Sequence, residues 1–209
     1  MRPQASNPFS TRFVRPGAIP YLFPVSDSIE QLADRLTERR GRAAILGPHG
    51  SGKSTLLATL LPQLAARGWN PHQIALHDGL HWMPRGWTST LSASAQLSPG
   101  SAPQPRQPRP LLVIDGYEQL NWLSRALVRI RCRVSGWGML VTAHGPVSLP
   151  TIFETQTSSE VTLAICARLA PDVGVLTARD CDEAWAASRG NVREALFDLY
   201  DRYERTLAL

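Results

Sequence analysis

The sequence predicts an α/β fold, a three-layer sandwich with a parallel central sheet, and three observations lead there. Short apolar runs (Ala43 to Leu46, Leu111 to Ile114, Gly138 to Val141) alternate with stretches of helical periodicity. The connections between most of them are too short for anything but direct crossovers, and all-apolar strands fit a sheet covered on both faces. A glycine-rich turn stands between the first run and the helix that follows it.

Taken in order, residues 1–26 carry Pro3, Pro8, Pro16, Pro20 and Pro24 interleaved with Phe9, Phe13, Tyr21 and Phe23, which predicts an irregular arm packed by its aromatics. Asp27 and Glu30 read as a capping box for a helix over about 28–40, with Ile29, Leu32 and Leu36 on one stripe and Gly41 as the stop. Ala43 to Leu46 predicts a buried strand, and a leucine-rich helix follows from Lys53 to about Ala66, where Pro62 is expected to kink it. Gln73 to His77 is a second strand, ending at Asp78-Gly79. From about 83 to 110 the pattern dissolves into Ser, Pro, Gly and Gln, which predicts a long mobile loop.

Leu111 to Asp115 restores a buried strand, followed by an Arg-rich helix of about 118–132 and a strand at Gly138 to Thr142. Thr157 and Glu160 read as a cap for a helix carrying Val161, Ile165 and Leu169. Asn191 and Glu194 cap a last helix with Val192, Ala195, Leu196, Leu199 and Tyr203 on one face. No internal repeat is present. The expected organisation is an arm and helix at 1–41, a core at 42–157 and a small helical lid at 158–209.

The chain has 209 residues, 43% hydrophobic and 19% charged, which suits a folded globular protein and excludes wholesale disorder. A net charge of +5 favours acidic partners, nucleic acid among them, although arginine usage this extreme is also what a coding bias produces. Cys132, Cys166 and Cys181 show neither a CxxC pair nor a zinc spacing and read as reduced core thiols. No signal-peptide pattern and no run of ~18 apolar residues occurs, so a cytoplasmic setting away from membranes is expected.

The glycine turn is Gly47-Pro48-His49-Gly50-Ser51-Gly52-Lys53-Ser54, with Thr55 next, a complete GxxxxGK[ST] phosphate loop, and Lys53 is the one lysine among 22 Lys and Arg residues. Its glycines let successive backbone N–H groups turn inward while the following helix directs its positive end at the same point. In such a loop the Lys53 ammonium bridges β- and γ-phosphates and the Ser54 hydroxyl meets Mg²⁺. Asp115, closing an apolar strand, fits the Walker B carboxylate that holds the metal, against the plainer reading of a turn residue.

In motif order over roughly residues 42–200 the chain resembles the AAA+ and STAND groups of P-loop ATPases. Many AAA+ members place a glutamate directly after the aspartate; here Asp115 is followed by Gly116, Tyr117 and Glu118, which is similar to the NACHT-type STAND pattern. That resemblance implies Glu118 as the residue that activates water, the alternative being a carboxylate favoured by a helix N-terminus. "LVTAHGP" looks like the STAND sensor strand, which implies a sensor role for Thr142 and puts His144 where the family has an arginine. "RGNVREAL" is similar to the AAA+ lid segment, which implies Arg193 as the second sensor. By position, Arg125, Arg129, Arg131 and Arg133 fall where AAA+ rings place an arginine finger, or they form a solvated helix face.

GTP is disfavoured, since guanine-reading NKxD needs a second lysine; a transporter-type ATPase is disfavoured because no LSGGQ-like signature precedes Asp115. The expectation is an ATP- and Mg²⁺-dependent ATPase, alone or as a homo-oligomer, acting on a macromolecular partner. A nucleotide-dependent switch with little hydrolysis and a P-loop small-molecule kinase are the alternatives.

Overall fold

A computed structural model describes residues 7–23, 27–77, 79–88, 108–170 and 177–207. Five strands form one all-parallel sheet: β1 (Arg42–Leu46), β2 (Trp69–Ala75), β3 (Arg109–Asp115), β4 (Gly138–Ala143) and β5 (Thr151–Glu154). Their order is β2-β3-β4-β1-β5. The helices are α1 (Thr11–Val14, a single turn), α2 (Ile29–Glu38), α3 (Lys53–Ala66), α4 (Trp122–Val134), α5 (Ser159–Leu169), α6 (Ala178–Ala187) and α7 (Val192–Leu207). The parallel sheet with flanking helices is the fold class that the sequence predicts.

Burial follows strand position. All six residues of β4 are buried, because β3 and β1 flank it and both its faces are covered. Strand β2 lies at the sheet edge, and there Pro71 costs no ladder bond on the open side. It also starts earlier than expected, at Trp69, whose partner Arg109 begins β3 two residues ahead of the apolar run. The sequence reading misses β5: Ile152 and Phe153 are only two apolar residues, too short a run to signal a strand, and what fixes them is pairing with β1 across an irregularity at Ala44/Ile45.

The chain divides into two compact units. One holds the sheet, comprising residues 23–46 and 59–154; its core joins Ile114, Met139 and Val141 to Val128 and Cys132 of α4. The other comprises 1–22, 47–58 and 155–209. In it Phe9, 1% exposed, packs edge-on against Tyr203 at 6.2 Å and joins Cys166, Cys181, Ala184 and Leu199 in a second core. A hydrogen bond that the Cys166 thiol donates to Cys181, together with burial, holds Cys166 well above its ordinary range, and all three cysteines are free and buried.

Two helix starts shift by one residue from expectation. Ser28, not Asp27, caps α2 in a box with Gln31, while Asp27 pairs with Arg35 at 2.8 Å. Ser158, not Thr157, caps α5 by accepting from Val161 N. Adjacent residues here are equally good acceptors, so tertiary packing of the apolar stripe chooses between them. Asn191 caps α7 as expected, accepting from Glu194 N. Helix α3 continues through Pro62. The expected helix at 118–132 divides into a 3-10 turn, Tyr117–Gln119, and α4, which Asn121 caps. Asp78 and most of the Pro- and Ser-rich stretch lie outside the described residues.

Candidate nucleotide site

In the unit that holds the glycine-rich loop, Gly47 to Gly52 lead into the first turn of α3. Gly50 holds a left-handed φ of +69°, and a methyl group there would run into Oδ1 of Asn191. One at Gly47 would strike Thr155 Oγ1. Inside the turn, the buried Ser51 hydroxyl bonds to Pro48 O at 2.8 Å and to the Thr155 hydroxyl, so the loop's curvature is fixed from within. Pro48 and His49 are exposed; Ser54 and Thr55 are half-buried at the start of α3.

Lys53 is 8% exposed, and its Nζ donates to Gly47 O and Pro48 O, both at 2.7 Å. The ammonium is thus folded back over its own loop, where it donates to these two carbonyls. A buried ammonium normally needs hydrogen bonds from every side, and a formal anion serves it better than a carbonyl does.

In the sheet unit, Asp115 ends β3, and its Oδ1 accepts from Thr142 Oγ1 at 2.6 Å. The same hydroxyl accepts from Gly116 N at 2.9 Å. Thr142 is fully buried, so this relay sets the direction of the Asp115 carboxylate. Gly116 has φ +85°, and a Cβ there would stand 2.8 Å from the Leu76 carbonyl oxygen. That position therefore has no room for the glutamate that AAA+ chains often carry there.

The next acidic side chain is Glu118, in the 3-10 turn. Its Oε1 stands 3.0 Å from His144 Nδ1, and its buried Oε2 has no hydrogen-bond partner among the described residues. An orphan carboxylate oxygen at this depth is costly unless something meets it. His144 thus lies where it touches Glu118. Arg125 turns inward on the same segment, donating to Leu120 O and Glu118 O, both at 2.7 Å, and covering the Tyr117 ring at 5.5 Å. It braces the turn and does not project from it. Arg131 and Arg133 are exposed.

Arg193 is exposed in the first turn of α7, two residues after the Asn191 that meets Gly50. Sequence reasoning names Asn191 only as a cap and misses Thr155 altogether. The one available signal was the unusual spacing of polar residues at Thr155, Thr157 and Ser158 after an apolar pair, which does not by itself point to a loop. Among the described residues no group of three His, Cys, Asp or Glu side chains could hold an ion alone. A magnesium ion beside Ser54 or beside Asp115 would need oxygen ligands from a bound phosphate as well, its usual manner of binding. No helix among the described residues is long and apolar enough to cross a membrane.

No family model and no curated protein matches the chain. Solved structures do. The chain is similar to Aeropyrum pernix Orc1, in a complex of that protein with DNA, at 18% identity and TM-score 0.63, over 94% of this chain and 64% of that one. It is similar to Saccharomyces cerevisiae Hsp104 in an ADP complex at 13% identity and TM-score 0.57, over 95% of this chain and 33% of that one. The chain therefore spans less than two thirds of either protein. At these identities the likeness establishes the fold alone, an α/β P-loop NTPase-like fold with a parallel central sheet and flanking helices.

Proposed function

We propose that the chain binds Mg-ATP and hydrolyses it to act on a macromolecular partner, in a cytoplasmic setting. The observation that carries this reading is the Lys53 ammonium, buried at the glycine loop and donating to the loop's own carbonyls at Gly47 and Pro48, since phosphate oxygens attract an ammonium more strongly than carbonyls through charge-assisted bonds. ATP supplies an anhydride whose cleavage is the energy source. Residues 47–55 would cradle its phosphates, with Lys53 toward the β,γ end and Ser54 and Asp115 toward the metal.

Thr142 holds Asp115 and is best read as a positioning residue for that carboxylate. Glu118 would orient the attacking water through Oε2, with His144 fixing the other oxygen. This is the NACHT-like arrangement, a small residue after the aspartate and an acid three places on, and the crowding at Gly116 supports it. Arg193, near the Asn191 contact with the loop, is assigned the sensor of the γ-phosphate. Self-assembly would give Arg131 or Arg133 a use as a finger, and the net charge of +5 makes nucleic acid a partner to test.

Titration calorimetry with Mg-ATP and a steady-state turnover assay test the reading. Lys53→Ala is expected to lower turnover by ~100-fold or more, the scale of losing one preorganised charge-stabilising donor, and to weaken ATP uptake. Unchanged uptake and turnover in that variant would refute it. A second reading, tight binding with slow hydrolysis, is favoured by the Glu118–His144 contact, which engages one oxygen of the candidate base. Micromolar binding without turnover would select it.

A further inference from the structure

Helix α4 has a feature that the nucleotide reading does not use. Its inner face buries Ser124, Val128 and Cys132, while Leu123, Leu127, Ile130 and Val134 are 40, 47, 58 and 78% exposed. Single exposed leucines are ordinary, but these four recur at spacings of four, three and four residues, which places them in one line about 16 Å long. That line is narrow, the d-a-d-a seam of a coiled coil, in contrast to the broad face by which a helix lies on a lipid surface.

The residues beside the seam then fall at the positions that choose a partner. Arg131 takes the e position and Arg133 the g position, and both are exposed. The helix, WLSRALVRIRCRV, contains no acidic residue. Arg125 and Arg129 are turned onto backbone carbonyls at Leu120, Glu118 and Arg125, which leaves Arg131 and Arg133 as the seam's flanking charges. A second copy pairing through this seam, parallel or antiparallel, would set arginine near arginine, and like charges at such positions disfavour pairing.

We propose that the outer face of α4 is a docking seam for a helix of a partner protein with apolar residues at a and d spacing and Glu or Asp on both flanks. The seam supplies apolar burial and the two guanidinium groups supply selectivity, because a carboxylate partner restores in the complex the hydration that they lose. This inference stands apart from the nucleotide reading, as binding through α4 requires no ATP.

The test uses the full chain without nucleotide and two labelled helical peptides of about three heptads, both with Leu at a and d, one with Glu at e and g and the other with Lys. Fluorescence anisotropy is expected to show the Glu peptide binding at least about tenfold tighter, with the preference shrinking as salt screens the charges. Leu127→Asp and Ile130→Asp, both at exposed positions, are expected to abolish binding while leaving circular dichroism and melting unchanged. Arg131→Glu with Arg133→Glu is expected to invert the preference toward the Lys peptide. Equal binding of the two peptides, or binding of neither, overturns the proposal. So does concentration-dependent self-association that Leu127→Asp removes, which assigns the seam to a second copy. Binding to phosphatidylserine vesicles without peptide binding assigns it to lipid.

Discussion

Two glycine turns, Gly50 in the phosphate loop and Gly116 after β3, hold left-handed backbone at +69° and +85°, for different physical reasons. At Gly50 the space a side chain would need is taken by the Asn191 amide, a movable group. At Gly116 it is taken by the Leu76 carbonyl, part of the backbone, and Leu76 N in turn donates to Asp115 O at 2.8 Å. A position blocked by a side chain can be reopened by a second substitution. One blocked by backbone cannot.

The largest stability effect should come from Gly116→Ala. Left-handed backbone and a carbonyl clash together predict a loss of about 2–4 kcal/mol in denaturant unfolding, with no side chain available to relieve it. Gly50→Ala should cost less, about 1–3 kcal/mol, and Asn191→Ser in the same chain should recover part of it, because serine is shorter yet still caps α7. Failure of that second substitution to help would remove the distinction between the two turns.

Thr142→Val sharpens the comparison from the other side. It keeps the shape of the side chain but deprives Asp115 of a donor and Gly116 N of an acceptor, in a fully buried place. A loss of about 1–3 kcal/mol is expected, together with a higher magnesium requirement for ATP uptake in calorimetry. An unaltered magnesium requirement would separate Thr142 from the carboxylate's function.

A control in another element, α6, sets the small end of the scale. Asp180 in α6 accepts from Thr177 N at 2.7 Å and Thr177 Oγ1 at 2.6 Å, and these bonds hold its carboxyl below the usual range. Because its folded-state value is depressed, its contribution is present above the unfolded value and vanishes as pH falls through the lowered one. Asp180→Asn should therefore cost a few tenths of a kcal/mol near neutrality and nothing once the pH is well below about 3.9. Melting curves across that range would reveal it, and a pH-independent difference would contradict the cap.

Much of the site was legible because its elements are local. GxxxxGK[ST] is eight consecutive residues, and Asp115 follows four apolar residues that can only be a buried strand. Tyr117 and Glu118 were harder: the stretch before Trp122 looks helical, yet Asn121 offers a better cap and Gly116 breaks the backbone ahead of it. Thr155 and Asn191 were not legible as loop neighbours, since 104 residues separate Ser51 from Thr155 and nothing in either segment advertises the other.

By itself the chain's order of residues determined the alternation of strand and helix, the glycine-rich turn ahead of α3 and the carboxylate at the end of β3, because periodicity, glycine freedom and short-range capping act within a few residues. Only the tertiary structure decided which of two adjacent residues caps a helix, that two apolar residues at 152 and 153 complete the sheet, that Thr142 steers Asp115, and that α4 turns a line of aliphatic side chains outward. Those outcomes depend on contacts between segments far apart in sequence, where packing and hydrogen-bond geometry choose among options that local preference leaves nearly equal.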